Sequence, residues 1–99
     1  MKAITKETIR EIITEARVDE VVQMATSLTT KGKNQIGSCP FCHKPDGFVV
    51  SQSKNIYRCY ECGAAGDAIR FVMEWAGMDY TQALQYIGGM NDIEIKYNN

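Results

Sequence analysis

The chemistry in this sequence is concentrated in its four cysteines. They form two C-x2-C pairs, Cys39 with Cys42 and Cys59 with Cys62, with sixteen residues between the pairs. Two intervening residues allow a tight turn that aims both sulfurs at one point, and a hairpin between the pairs brings the turns together. Four thiolates complete a tetrahedral shell that has no position for water. The sequence therefore predicts one structural zinc ion, Zn²⁺, with no catalytic role.

Other uses of these residues stay open at the level of sequence. Two disulfides would suit an oxidising compartment, and four sulfurs can also hold iron. His43 is the only histidine and directly follows Cys42, so it is an alternative ligand, although its position would change the geometry of the turn. The N-terminal residues are charged and periodic and include no apolar run typical of a signal peptide or membrane span. We therefore expect a cytoplasmic protein whose thiols stay reduced.

The elements before the second cysteine pair are predicted from hydrophobic periodicity. Residues 5–17 have the three-and-four spacing of an amphipathic helix, and Asp19 is the expected N-cap of a second helix that ends near residue 27. Residues 29–37 predict a loop or a short strand. Residues 47–60 are rich in β-forming residues on both sides of a polar turn, which predicts a β-hairpin.

Two further helices are predicted after the cysteines from their capping residues. Asp67 is placed to cap the first of them, and Gly77 is placed to end it. Asp79, with a glutamine three residues later, predicts a capping box for the last helix. That helix is expected to end at Gly88 and Gly89.

These elements add up to one domain over residues 1–99, with no internal repeat or linker. Its fold class is α+β, a zinc ribbon with a small antiparallel sheet and one structural zinc, flanked by N-terminal and C-terminal helices. The predicted parts are helices over about 5–27, the ribbon over about 31–63, helices over about 67–88 and a loose tail over 90–99.

Positive charge is concentrated in the middle of the chain, although the formal net charge is only −1. Residues 31–60 include five lysine or arginine residues and only one acidic residue, Asp46. Such a cationic segment is typical of nucleic-acid binding. Tyr57 and Tyr60 lie in one predicted strand on opposite faces, and an exposed ring there could stack on an unpaired base. The candidate nucleic-acid contacts are Lys31, Lys33, Lys44, Lys54, Tyr57 and Arg58.

Over about residues 8–88 the chain resembles the N-terminal zinc-binding domain of bacterial-type DNA primases. The residues that carry this resemblance are Gly32-Lys33-Asn34, Cys39-Pro40-Phe41-Cys42 and the run Tyr57-Arg58-Cys59-Tyr60-Glu61-Cys62-Gly63-Ala64-Ala65-Gly66-Asp67-Ala68-Ile69. The family usually has histidine as its second ligand, where this chain has Cys42. That departure favours a relative from a plasmid, phage or conjugative element over the chromosomal branch.

The resemblance implies a module that binds the single-stranded DNA template and assists primer initiation. Its implied partners are the catalytic domain of a primase and a replicative helicase, with no membrane contact. The family's acidic catalytic residues have no counterpart in these 99 residues, so the chain is not expected to be an enzyme by itself. The alternative is a zinc-ribbon interaction module that binds a replication or mobilisation partner without touching DNA.

Overall fold

A five-stranded antiparallel sheet packed against helices dominates the computed structural model, which describes residues 3–98. The helices are α1 (Lys6–Glu15), α2 (Val18–Val22), α3 (Ala68–Ala76) and α4 (Tyr80–Met90). The strands are β1 (Ala3–Ile4), β2 (Thr29–Lys31), β3 (Asn34–Gly37), β4 (Phe48–Ser51), β5 (Ile56–Cys59), β6 (Ala65–Gly66) and β7 (Tyr97–Asn98). The predicted α+β fold, a small antiparallel sheet with flanking helices, is confirmed. The ends of the predicted domain, residues 1–2 and 99, lie outside the described residues.

The sheet has the order β2-β3-β4-β5-β6, and its inner face builds the core. Alternation along β4 and β5 turns Phe48, Val50 and Tyr57 inward, where each is almost fully buried. Phe71 of α3 meets them edge-on, with its ring centroid 5.5 Å from that of Tyr57. Burial of these apolar groups holds the helices on one face of the sheet and leaves the other face open.

The segment predicted as a loop or short strand is a hairpin of β2 and β3. Lys31 and Asn34 face each other across the ladder, so Gly32 and Lys33 form a two-residue turn. Gly32 has φ +62°, a conformation that glycine adopts without steric cost. The hairpin adds two strands, and β2 becomes an exposed edge of the sheet.

Helix α2 begins at Val18, one residue before the predicted N-cap, and ends at Val22, well before residue 27. Arg17 occupies the N-cap position and makes no side-chain capping bond. Asn55, in the turn between β4 and β5, supplies the cap instead. Its Oδ1 accepts from the backbone N–H of Val18 at 2.9 Å, and its Nδ2 donates to the carbonyl of Ala16 at 2.7 Å. The prediction that Asp19 caps α2 was wrong because Asn55, a residue distant in sequence, accepts from a free backbone N–H group at the start of this helix.

The caps predicted around α3 are confirmed. Asp67 Oδ1 accepts from the backbone N–H of Arg70 at 2.9 Å, and Gly77 adopts the left-handed conformation, φ +70°, that ends the helix. Asp79 and Gln82 form the reciprocal capping box at the start of α4.

Gly88 and Gly89 do not end α4, which continues to Met90. Gly88 is buried where the C-terminal segment and α1 approach the helix. A Cβ atom at this position would lie 2.6 Å from Ile95 Cδ1 and 3.4 Å from Ile12 Cδ1. The glycine therefore allows close packing and does not act as a terminator.

The segment after α4, predicted to be loose, lies against the helices. Ile93 and Ile95 are partly buried against the core. Lys96 accepts from the backbone N–H of Thr5 at 2.9 Å and donates its own N–H to Thr8 Oγ1 at 3.3 Å. Strand β7 then pairs with β1, so both ends of the described chain lie together. None of the helices within residues 3–98 has the length and apolar character needed to cross a bilayer.

Candidate metal centre and nucleic-acid face

The two cysteine pairs form similar turns at one end of the sheet. Cys39 lies just after β3, and its carbonyl accepts from the backbone N–H of His43 at 2.8 Å. Cys59 ends β5, and its carbonyl accepts from Gly63 at 3.1 Å. In each turn a backbone N–H points back at the first sulfur, with Cys42 N and Cys62 N each 3.5 Å from that Sγ. The C-x2-C spacing thus sets the local geometry, and the strands bring the turns together.

The four sulfurs lie within 4.8 Å of one another. Cys39 Sγ is 3.8 Å from Cys62 Sγ, and Cys42 Sγ is 3.6 Å from Cys59 Sγ. A tetrahedral site with zinc–sulfur bonds of about 2.3 Å has edges of about 3.8 Å, so the separations fit a zinc ion. A disulfide requires about 2.05 Å, and all four cysteines are free. The four cysteines hold one zinc ion, and the closed shell assigns it a structural role.

Without a bound metal, the environments of Cys39 and Cys59 shift the pKa values of their thiols in opposite directions. Burial raises the pKa of Cys39 to about 12. Burial also acts to raise the pKa of Cys59, but hydrogen bonds from the backbone N–H groups of Cys62 and Glu61 outweigh it and lower that pKa to about 7. Zinc binding needs thiolates at every position, so the ion must displace protons that the buried thiols would otherwise keep.

His43 is not one of the clustered ligands in the described part of the chain. It is exposed, with φ +63°, and it occupies the residue after Cys42 in the first turn. Because Cys42 already completes the group of four sulfurs, the alternative with His43 as a ligand is not needed. The metal site is the four-cysteine version.

Three of the predicted cations lie on the outer face of the sheet. Lys33, Lys54 and Arg58 line one shallow groove of about 360 Å³, together with polar and apolar side chains of β3, β4 and β5. Within residues 3–98, the lining of this groove includes three cations and no carboxylate. The groove is therefore a cationic surface that runs along β5, from the turn that holds Lys54 to Arg58 and Tyr60 on either side of Cys59.

The two remaining lysines lie at the borders of this face. Lys31 is exposed on edge strand β2, directly across from Asn34, which lines the groove. Lys44 lies at the other end, in the loop after the first cysteine pair, where its carbonyl accepts from the backbone N–H groups of Cys39 and Gly47. The structure thus separates Lys44 from Lys31, Lys33 and Lys54 by the length of the hairpin.

Tyr57 does not offer its ring to a ligand. The side chain is 1% exposed and packs among aromatic residues of the core, and burial raises the pKa of its hydroxyl well above the usual range. Tyr60, which was outside the candidate set, is 69% exposed. The sequence contained the signal for this choice. Cys59 must point inward to the metal, so strand alternation turns Tyr57 inward and directs Arg58 and Tyr60 outward.

Two cysteine turns, closed by β-hairpins on a small sheet around four sulfurs, define the molecule as a zinc ribbon. Residues 4–99 match the family described as the CHC2 zinc finger, and the chain belongs to this family.

Known relatives of the chain are DNA primases. The chain is 34% identical over 98 residues to the DNA primase of Pasteurella multocida, a match covering 98% of this chain and 17% of that protein. It is 39% identical over 80 residues to the DNA primase of Clostridium acetobutylicum, covering 80% of this chain and 13% of the relative. The chain therefore spans less than a fifth of the length of these primases.

A solved structure shows the same fold. The structure of the Aquifex aeolicus primase, zinc binding and RNA polymerase domains, superposes with a TM-score of 0.83 at 30% sequence identity. The match covers 90% of this chain and 22% of that chain. The chain corresponds to the zinc-binding domain of such primases.

Proposed function

We propose that the chain is the zinc-binding module of a DNA primase, which binds the single-stranded DNA template and assists primer initiation. The observation that carries this proposal is the cationic groove of Lys33, Lys54 and Arg58 on the open face of the sheet. Ammonium and guanidinium groups at this face can neutralise phosphates and release their counterions. Lys31 and Lys44 extend the positive surface at its two ends.

The zinc ion has a supporting role in this proposal. Structural zinc contributes about 10–16 kcal/mol of apparent binding free energy in small peptides at neutral pH. In this chain the ion ties the ends of β3 and β5, and so fixes the outer face on which the cations lie. A closed shell of four thiolates provides no activated water, so the module itself performs no metal-assisted step. Nucleotidyl transfer belongs to a catalytic domain, which we propose as its partner.

A second candidate function is a protein-interaction module without DNA contact. A depression of about 460 Å³ between α1 and the corner of α3 and α4 supports it, since its lining includes Ile13, Met73, Met78 and Tyr80. Ile13 and Tyr80 are 42% and 47% exposed, which leaves apolar surface open to a partner. The catalytic domain of a primase, or a replicative helicase, would fit this role alongside DNA binding or in place of it.

A salt titration separates the two functions. The zinc-loaded chain is titrated against a labelled single-stranded oligonucleotide, and fluorescence anisotropy is recorded at several salt concentrations. Template binding predicts an affinity that falls linearly with salt on logarithmic axes. Binding that is absent at low salt, or indifferent to salt, would refute the template role and leave the protein-interaction function.

A further inference from the structure

Tyr60 is an aromatic ring displayed at the surface beside a cation. Its side chain is 69% exposed, the largest exposed fraction among the large apolar and aromatic side chains of residues 3–98. Arg58, an exposed residue of β5 two positions earlier, places its Cζ atom 5.1 Å from the centroid of the ring. A cation at this distance is attracted to the π face and restricts the ring's orientation. The ring is thus held in place yet open to solvent.

A second cation, Lys44, lies near the backbone of Tyr60 because both residues are neighbours of Gly47. The backbone N–H of Tyr60 donates to the carbonyl of Gly47 at 3.1 Å, so these residues are neighbours across the hairpin. The side-chain stem of Lys44 lies over Gly47, because a Cβ atom there would be 2.7 Å from Lys44 Cγ. Gly47 is buried under this stem. The absence of a side chain at Gly47 therefore lets Lys44 lie near the end of β5, which Tyr60 directly follows.

We propose that Tyr60 is a stacking platform for one unpaired nucleobase, with Arg58 and Lys44 contacting the phosphates on its two sides. The inference rests on the proposed template binding and adds a source of selectivity for single strands to it. Any base has a π face that can stack on tyrosine, but a base inside a duplex is already stacked on its neighbours. Gly47 is a positioning residue, since it acts only through Lys44.

Two carboxylates near Tyr60 reduce the electrostatic part of the binding at this end of the sheet, which makes stacking more important there. Asp46 precedes Gly47 and Glu61 follows Tyr60, and both carboxylates are exposed. Their charges offset that of Lys44, so the attraction for phosphate is weaker here than near Lys33 and Lys54. Tyr60 lines the same groove as these lysines and Arg58, so the ring is placed to hold a base while the cations hold the backbone.

The test compares Tyr60→Leu with Tyr86→Leu, which removes an exposed tyrosine from α4. Three probes are titrated by anisotropy: an oligothymidine, the same strand with abasic sugars, and a hairpin duplex. Tyr60→Leu should weaken oligothymidine binding by roughly 5- to 100-fold, leaving the abasic strand and the duplex unchanged. Tyr86→Leu should match the wild type. Gly47→Ala should displace Lys44 and reduce the logarithmic salt slope by about 0.7, with zinc content unchanged.

The outcomes distinguish this inference from the proposed function. Suppose that wild-type binding weakens with salt but Tyr60→Leu binds oligothymidine as tightly as the wild type. That result would overturn the stacking role of Tyr60 and leave template binding in place. The same holds if the wild type binds abasic and oligothymidine strands equally well. If the wild type binds none of the strands at low salt, template binding itself fails. Elemental analysis of each variant shows whether the zinc ribbon is intact.

Discussion

Neutralising Lys54 and Arg58 together should weaken single-strand binding and flatten its salt dependence. Each cation that contacts a single-strand phosphate contributes about −0.7 to the slope of log affinity against log salt. If all five cations of this face make contact, the slope is about −3.5, and affinity falls about 130-fold between 50 and 200 mM salt. The Lys54→Gln, Arg58→Gln double variant retains three cations. Its slope should be about −2.1, with a fall of about 18-fold over the same range.

The control is a double variant with the same change in charge elsewhere. Lys6→Gln, Arg10→Gln removes two exposed cations from α1, so both double variants have a formal net charge of −3, the native −1 minus 2. Anisotropy titrations with a labelled single strand give the slopes, and elemental analysis checks that zinc is retained. Equal slopes for wild type and Lys54→Gln, Arg58→Gln would refute the placement of the DNA face. An equal loss in the Lys6, Arg10 control would show that only total charge matters.

Three further predictions concern the zinc ion and the helices. Chelation should unfold the ribbon and change the emission of Trp75, which stacks on Phe71 5.8 Å away; unchanged far-UV and fluorescence spectra would contradict this. Zinc affinity, measured by competition with a chromophoric chelator, should fall as pH falls, about tenfold per pH unit for each displaced proton, because thiols such as Cys39 are protonated without metal. Gly88→Ala should be less stable to urea than Gly89→Ala by about 1–3 kcal/mol, since a Cβ at Gly89 meets open space; equal stabilities would show that Gly88 is not packed as described.

Much of the metal centre was predictable because its information is local. Each C-x2-C pair specifies its own turn, and the β-forming residues around a polar turn between the pairs specify the hairpin that joins them. Asp67 and Asp79 were predicted as caps for the same reason, since each bonds to a backbone N–H three residues away. The nucleic-acid face was harder to predict from the sequence. Tyr57 was selected although the inward direction of Cys59 already required Tyr57 to be buried.

The sequence by itself determined the two cysteine pairs, the ribbon hairpin and the caps of the last two helices, and it favoured zinc over iron or disulfides. Tertiary structure alone decided that Asn55 caps α2 and that Gly88 packs against Ile95 without ending α4. It also decided that Lys44 lies over Gly47, whose carbonyl accepts from the backbone N–H of Tyr60. The physical reason is the distance along the chain between the residues that contact each other. Bonds between residues three or four apart can be read from spacing, whereas contacts between distant segments depend on how the whole core packs.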